Sequence, residues 1–391
     1  MVTMETADNA LKSFYLDAVS EALNLNVNPL LAQIRQSTAD VWGKDVRKLV
    51  RYGVNGGIGA GTETGTLPAA GGNNYVQFVA SLKNLYGTIE ISDKAMRASA
   101  NNEGAFVNLL NDEMQSLVRS SAFNFGRMLY GDGSGKLCAV SAVDTGNKIT
   151  VDGVAGIAEG MIVDFYATSG AMISGAMGRT VLSVDRAEKI IVVDGTALNT
   201  TIVPVGSKVV LQHSHDCEIT GLGALFSDSD TLYGVDRAAH PWMKPYVKTE
   251  AGMLDENILQ TAIDTIEENS GSKVNFIVCS WGVKRALVAY YNQYKTYAPT
   301  MEIKGGYKAL SFNGIPVVAD RFCPAGTLYM LNTDDFCLHQ LCDWQWLENE
   351  DGKILKQIAG KPVYTATLVK YAELVCSRPF GQGMLTGVEE M

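Results

Sequence analysis

One stretch constrains the fold more than any other: Glu103–Tyr130, EGAFVNLLNDEMQSLVRSSAFNFGRMLY. Apolar side chains recur at Phe106, Val107, Leu110, Met114, Leu117, Val118, Phe125, Met128 and Leu129. That spacing follows the helical period and predicts one long amphipathic helix. No proline interrupts it, and its one inner glycine, Gly126, lies near the end. Asn101 or Asn102 can cap the start, with Glu103 in the positive first turn. Arg127 sits in the last turn and Gly131 supplies a stop. At 1.5 Å per residue the helix would run about 42 Å, far beyond the usual three turns. A rod of that length needs other elements laid along it.

The whole chain has 391 residues, enough for two or three domains around a sizeable core. Apolar residues make up 47% and charged residues 19%, the balance of a globular protein. The net charge of −10 argues against a tight nucleic-acid binder, although a local basic patch is compatible with it. Seven cysteines fall at no zinc-like or disulfide-framework spacing, which points to free thiols in a reducing cytosol. The first residues, MVTMETADNALKSFYL, lack the pattern of a signal peptide, and no stretch of about 18 apolar residues could span a membrane.

In chain order, residues 9–40 predict a helical arm, with Leu11, Phe14, Tyr15, Ala18 and Leu23 on one stripe, a break at Asn28 and Pro29, and a second short helix at Leu30–Arg35. The arm cannot bury both stripes alone, so it should lie on other parts of the protein or on a neighbouring copy. Two strands, Asp45–Val54 and Tyr75–Ser92, flank a tip at Asn55–Asn74 nearly devoid of large side chains. So long a loop is uncommon inside a compact domain and often functional. Two readings fit it: a loop that leaves its own subunit and interlocks, or a plain surface loop. Asp93–Ala98 predicts a short helix.

From 143 to 212 the character changes to short β-rich runs between glycine turns. Ile149–Gly153 precedes Gly160–Phe165, as Ile191–Gly195 precedes Gly206–Leu211. This weak repeat suggests a small barrel or sandwich formed as a unit. Trp242, in AAHPWMKPYV, should dock an ordered loop, either in the core or against another chain. Residues 254–362 predict a compact α/β unit, with a helix opened by Asp255 and Glu256, a buried strand at Val274–Cys279, a helix after Ser280 and a type I′ hairpin at Asn313 and Gly314. Residues 363–377 alternate as a last strand that should join the sheet beside the long helix.

Familiar catalytic and cofactor signatures are absent. GDGSGK, Gly131–Lys136, is out of register for a phosphate loop and has Leu137 where a Ser or Thr would hold magnesium. His213, His215 and Asp216 have the residue types of a metal cluster, and on a strand the two histidines would share a face, but no third ligand follows at a recognised spacing. Asp334 with Asp335 and Glu389 with Glu390 are adjacent and suit turns or tails rather than acid/base pairs. No catalytic, cofactor-binding or metal-binding residue is assigned.

The order of elements resembles the major capsid proteins of tailed bacteriophages, with the Hong Kong 97-like fold. The stretches that carry the resemblance are Thr88–Ser99 leading into the long helix and Leu129–Leu137, then Phe312–Asn332 (FNGIPVVADRFCPAGTLYMLN), then Tyr371–Val388 (YAELVCSRPFGQGMLTGV). The resemblance implies an α+β fold with an N-terminal arm at 1–44 and an extended β-hairpin at 45–92. A peripheral domain with the spine helix follows at 93–142, an inserted β-domain at 143–212 and a return to the peripheral domain at 213–253. The axial domain takes 254–362, and the closing strand and tail 363–391. It implies a structural protein, not an enzyme, that needs no cofactor. Hexamers and pentamers of it would form the icosahedral head of a virion around non-specifically contacted double-stranded DNA, assembled in the cytoplasm of a bacterial host. It also implies a separate scaffolding protein, a portal and a decoration or head-stabilising protein as partners.

Between Lys48 and Lys83 there is no lysine, so subunits should lock without a cross-link from the hairpin tip. Arg47, Lys48, Arg51, Glu63 and Trp242 are the candidate inter-subunit contacts, with the three cations expected to pair with a neighbour's carboxylates. Two other readings stand beside this one: an encapsulin-type shell around an enzyme cargo, and, more distantly, a metal-dependent hydrolase using His213, His215 and Asp216. A glycan-binding role for 143–212 is a third.

Overall fold

The computed structural model describes residues 28–94, 103–144, 146–294, 300–302, 308–348 and 352–391. The stripe expected at Leu11–Leu23 and most of the short helix expected at Asp93–Ala98 lie outside them. The long helix runs Glu103–Met128. Met114, Val118, Ala122, Phe125 and Met128 are buried along one side, as the period requires. Its end is closed differently from the expectation. Gly131 is not left-handed. Instead the Leu222 N–H donates to the Leu129 carbonyl at 2.8 Å, and Arg127 pairs with buried Glu218. An orphan carbonyl and a buried cation near the helix C-terminus are thus both satisfied by one returning segment.

The helix lies against a five-stranded sheet whose central member is Val363–Cys376. That strand pairs antiparallel with Phe336–Trp346 on one side and Lys83–Ser92 on the other. The 3₁₀ turn Leu31–Gln33 leads into the short edge strand Arg35–Ser37, parallel to Phe336–Trp346. The helix expected at Leu30–Arg35 is therefore only that single turn. The strand expected over Tyr75–Ser92 is two strands, Asn74–Ser81 and Lys83–Ser92, which break at Leu82. The first belongs to a three-stranded sheet with Val41–Trp42 and Asp45–Tyr52, and the second to the five-stranded sheet. The chain changes sheets there, where the pairing of Lys83 with Ala372 on the central strand ends.

A seven-stranded sheet from Tyr246 to Leu385 carries the helices Glu256–Ser270 and Trp281–Tyr294 around a second core. Asp255 caps the first helix by accepting from the Ile258 N–H at 2.7 Å. The Asn313 and Gly314 turn has φ of 49° and 82°, the expected I′ geometry. The mixed helix-and-sheet architecture is α+β.

The third core belongs to a closed six-stranded barrel. Its strands are Lys136–Asp144, Lys148–Val151, Ile162–Tyr166, Arg179–Asp185, Ile190–Val193 and Lys208–Leu211. The barrel therefore takes in a strand that begins before 143, where the composition changes. The weak sequence repeat is a structural one. Ile149 pairs with Ile191, and Phe165 pairs with Val209, so equivalent strands lie side by side. Asp152 accepts from the Ala139 N–H at 2.8 Å, and Asp194 accepts from the Thr180 N–H at 2.8 Å. The Gly160 N–H donates to the Val181 carbonyl, and the Gly206 N–H to the Val140 carbonyl, both at 2.8 Å. Both glycines are left-handed, with φ of 87° and 86°. Exchanging the two halves leaves the order of strands round the barrel unchanged, which is an approximate two-fold.

Candidate assembly surface

The strands Asp45–Tyr52 and Asn74–Ser81 alternate between two environments. Val46, Phe78 and Ala80 are buried, and Val50 and Val76 pack on the main core. Arg47, Leu49 and Arg51 point the other way, opposite Val79, Gln77 and Tyr75 in register. That outer face is open: Leu49 is 65%, Tyr75 52% and Val79 37% exposed.

The root of the hairpin is held by aromatic rings. Trp242 stacks on Tyr52 with centroids 5.0 Å apart and on Phe78 at 6.2 Å. Phe78 in turn packs on Tyr233, whose carbonyl accepts from the Val79 N–H at 2.9 Å. Phe380 meets Trp242 edge-on.

Residues 53–73 form no regular structure, yet they are not shapeless. The two legs touch at Gly57 and Gly71, where a Cβ on Gly71 would come within 2.4 Å of the Gly57 nitrogen. Only glycine allows that approach. Thr62 accepts from the Gly65 N–H at 3.0 Å, which makes the tip turn. The result is a slender two-legged projection with Val54, Ile58 and Leu67 at 77%, 79% and 90% exposure.

The five residues singled out from the sequence are not one patch. Arg47 and Arg51 share the outer face. Lys48 points inward and is half-buried, and together with burial it lowers the pKa of His339. Glu63 sits in the tip turn and Trp242 at the root. Among the described residues, none of Arg47, Lys48 and Arg51 makes an ion pair. Sequence reasoning missed the apolar half of the surface. The signal was there in RKLVR, whose period of two puts Leu49 between Arg47 and Arg51 on one face.

His213 does not lie on a strand. It follows Lys208–Leu211 in a turn with φ of 59°, so the shared face expected for His213 and His215 does not form. His215 stacks on Tyr166 and meets Asp216 at 3.1 Å. Among the described residues no group of three metal-ligating side chains is arranged to hold an ion. No described helix is long and apolar enough to cross a membrane.

Two ionisable groups on the central strand also escaped the sequence reading. Lys370 is fully buried, with Nζ donating to Gln340 at 2.8 Å and to Asp343 at 2.6 Å. Phe125 of the long helix lies under its ammonium at 5.3 Å. Burial pulls its pKa down and Asp343 opposes that. Glu373 accepts from the Thr220 N–H at 2.6 Å and the Leu374 N–H at 3.0 Å. Burial pushes its pKa up to about 7. Each has local partners that account for it, so both tie the sheet to its surroundings.

No protein-family model matches the sequence, and no curated protein sequence does. Solved structures do match. The capsid asymmetric unit of cyanophage A-1(L) aligns with 94% of this chain and 92% of its own, at a TM-score of 0.54 and 12% identity. This chain has a phage-capsid fold. The capsid of the myovirus XM1 aligns at a TM-score of 0.47 and 10% identity, over 93% of this chain and 92% of that one. An encapsulin complex from Synechococcus elongatus PCC 7942 aligns at 0.46 and 8%, over 93% and 89%.

Proposed function

We propose that this protein is the structural subunit of a phage head, built to be tiled with copies of itself into hexamers and pentamers around double-stranded DNA. The observation that carries the reading is the hairpin. A chain with a capsid fold holds out an apolar and cationic sheet face and a projection whose legs carry Ile58 and Leu67, which a free monomer has no reason to expose. Repeated heterologous contacts close such subunits into rings. Many modest contacts, linked in one shell, make dissociation slow. No catalytic step is assigned to the chain. The virion is then its location, and a scaffolding protein, a portal and a decoration protein are the partners such a shell calls for. The acidic balance suits a container that repels packaged DNA over most of its inner wall.

Electron microscopy of the expressed, purified chain tests this. Closed shells or their capsomers are the expected result. A monomer in every buffer, with residues 53–73 folded on its own body, would overturn it. Shells that hold protein cargo instead of nuclease-protected DNA would favour the encapsulin-type reading.

A further inference from the structure

The five-stranded sheet ends on a long open edge. Lys83–Ser92 pairs with the central strand on one side, and among the described residues no strand pairs with its other side. In an antiparallel ladder every second residue turns its N–H and carbonyl away from the partner strand. Along Asn84–Thr88 no backbone group has a hydrogen-bond partner outside that ladder among the described residues. Sheets guard such edges with proline, a bulge or short length. This strand is ten residues long, runs without a register shift and holds no proline. The opposite edge of the same sheet is only the three-residue strand Arg35–Ser37.

A cleft of about 480 Å³ lies along that edge. Asn84–Thr88 forms one wall, about 15 Å long at the rise of a strand. Met161 and Leu211–Ser214 of the barrel form the other wall. Leu117, Ser121, Phe125 and Met128, on one face of the long helix, make the floor. Gly87 lets that helix close on the strand, since a Cβ there would meet Leu117 at 3.0 Å. Trp344 lines the cleft at 5% exposure, and its Nε1 donor has no hydrogen-bond partner. No lysine or arginine is among the lining residues, and their one carboxylate, Glu218, is held by Arg127.

An unpaired strand edge calls for extended backbone, which a polypeptide supplies. This chain's own loose stretches do not offer it. The legs of 53–73 are turned on each other at Gly57 and Gly71. Residues 1–27, outside the described residues, carry their apolar side chains at the helical period rather than in alternation. We infer that the cleft receives an extended strand from a different polypeptide, which lies beside Asn84–Thr88 and adds one member to the five-stranded sheet. Every second side chain of that strand rests on Leu117, Phe125 and Met128. Those side chains are apolar and uncharged, because the lining holds no free charge to answer one. An acceptor oxygen at one end of the strand takes the Trp344 N–H. The cleft belongs to the folded chain, so the inference stands whether or not the chain forms shells.

The test uses the full-length chain. Displayed random peptides are panned against it, with counter-selection on the S121W chain, whose added ring fills the floor. Peptides with apolar, uncharged residues at every second position are expected. A recovered peptide carrying fluorescein should bind the parent saturably and S121W at least roughly tenfold more weakly, read by anisotropy. Gln212→Trp blocks the cleft from the exposed barrel wall, and melting curves check that both variants fold. Trp344→Phe keeps an aromatic ring and removes the donor, and should weaken binding by roughly threefold or more. No enriched peptide, or equal binding to the parent and both blocked chains, overturns the proposal.

Hydrogen exchange followed residue by residue separates strand addition from simple filling of the cleft. Bound peptide should slow alternate amides within 84–88 by about tenfold or more, since each newly paired N–H is withdrawn from water. Binding that leaves those amides unchanged overturns strand addition. Peptides of residues 5–25 and 54–73 of this chain serve as competitors. If either displaces the labelled peptide and gives the same exchange pattern, the strand comes from a second copy, and the claim of a different polypeptide falls.

Discussion

The barrel and the hairpin solve opposite problems with the same material. The barrel closes its sheet on itself, so no strand edge is left unpaired. Ile149, Val163, Phe165, Ile191 and Val209 fill its own core with almost no exposure. Its ends meet, since Lys136 pairs with Val210. The hairpin does none of this. It is rooted by Tyr52, Phe78 and Trp242, and then runs outward with apolar side chains in the solvent. The contrast shows that length of β-structure does not measure self-sufficiency. A region that hides its edges and fills its interior is finished, and one that leaves apolar side chains in solvent is not.

The sharpest way to break this comparison is to remove each region. Replacing residues 54–73 with a two-residue Asn-Gly turn should leave the monomer's melting temperature within about 3 °C, because the projection contributes little burial. Shell yield, measured by electron microscopy and sedimentation, should fall by roughly tenfold or more, since linked contacts are lost together. Excising 138–209 and joining Leu137 to Val210 should instead leave a folded body that still assembles. If the excised chain cannot fold while the loop-shortened chain assembles normally, the roles given to the two regions are reversed.

These regions also differ in how much of them the sequence disclosed. The long helix and the Asn313 and Gly314 turn were legible because each depends on a local pattern, one on a period and one on a dipeptide. The barrel repeat was visible as two similar stretches, yet its closure was not, since pairing Phe165 with Val209 is a non-local fact. The break at Leu82 was hidden for the same reason. Tyr75–Ser92 has no breaker, and the two halves part only in their partners, Asn74–Ser81 pairing with Asp45–Tyr52 and Lys83–Ser92 with the central strand. At the surface, Arg47 and Arg51 drew attention through charge. Leu49, Tyr75 and Val79 could be recognised as exposed only once Val46 and Phe78 were seen to be the inward face. Buried Lys370 and Glu373 left no sequence signal, because their meaning lies in what surrounds them.

Glu373 marks the place where the body, unlike the barrel, closes an edge without a strand. The central strand pairs with Lys83–Ser92 only as far as Ala372 opposite Lys83. Beyond it, the Glu373 carboxylate accepts from Leu374 and Thr220, and the Tyr233 hydroxyl donates to the Leu374 carbonyl and accepts from the Cys376 N–H. Burial raises the Glu373 pKa from 4.5 to about 7. Between those values the folded state holds a proton that the unfolded state has lost, so this group's contribution to stability falls as pH rises through that window and is flat above it. The size is about 3 kcal/mol at most, from 1.36 kcal/mol per pKa unit. Glu373→Gln keeps an acceptor oxygen and removes the charge. Denaturant melts should show it gaining on the parent from pH 5 to pH 8. A difference that does not change with pH would show that the carboxylate is as well solvated as in the unfolded chain.

The smallest effect tests the barrel's two-fold. Asp152 and Asp194 occupy equivalent turns and accept the equivalent N–H groups of Ala139 and Thr180. Changing either to alanine removes one acceptor and should cost about 1 kcal/mol in a barrel-specific transition. The two costs should not be identical. Asp152 is exposed and water can replace it, and its contact with Lys136 at 3.7 Å is a surface pair of little worth. Asp194 is half-buried, and its backbone carbonyl also accepts from Arg179 at 2.8 Å. Disturbing that turn therefore loosens a buried guanidinium as well. Asp194→Ala should be the more damaging, with both variants leaving hairpin-dependent assembly untouched. If either one reduces shell yield, the barrel is not the finished unit that its closed sheet and filled core make it.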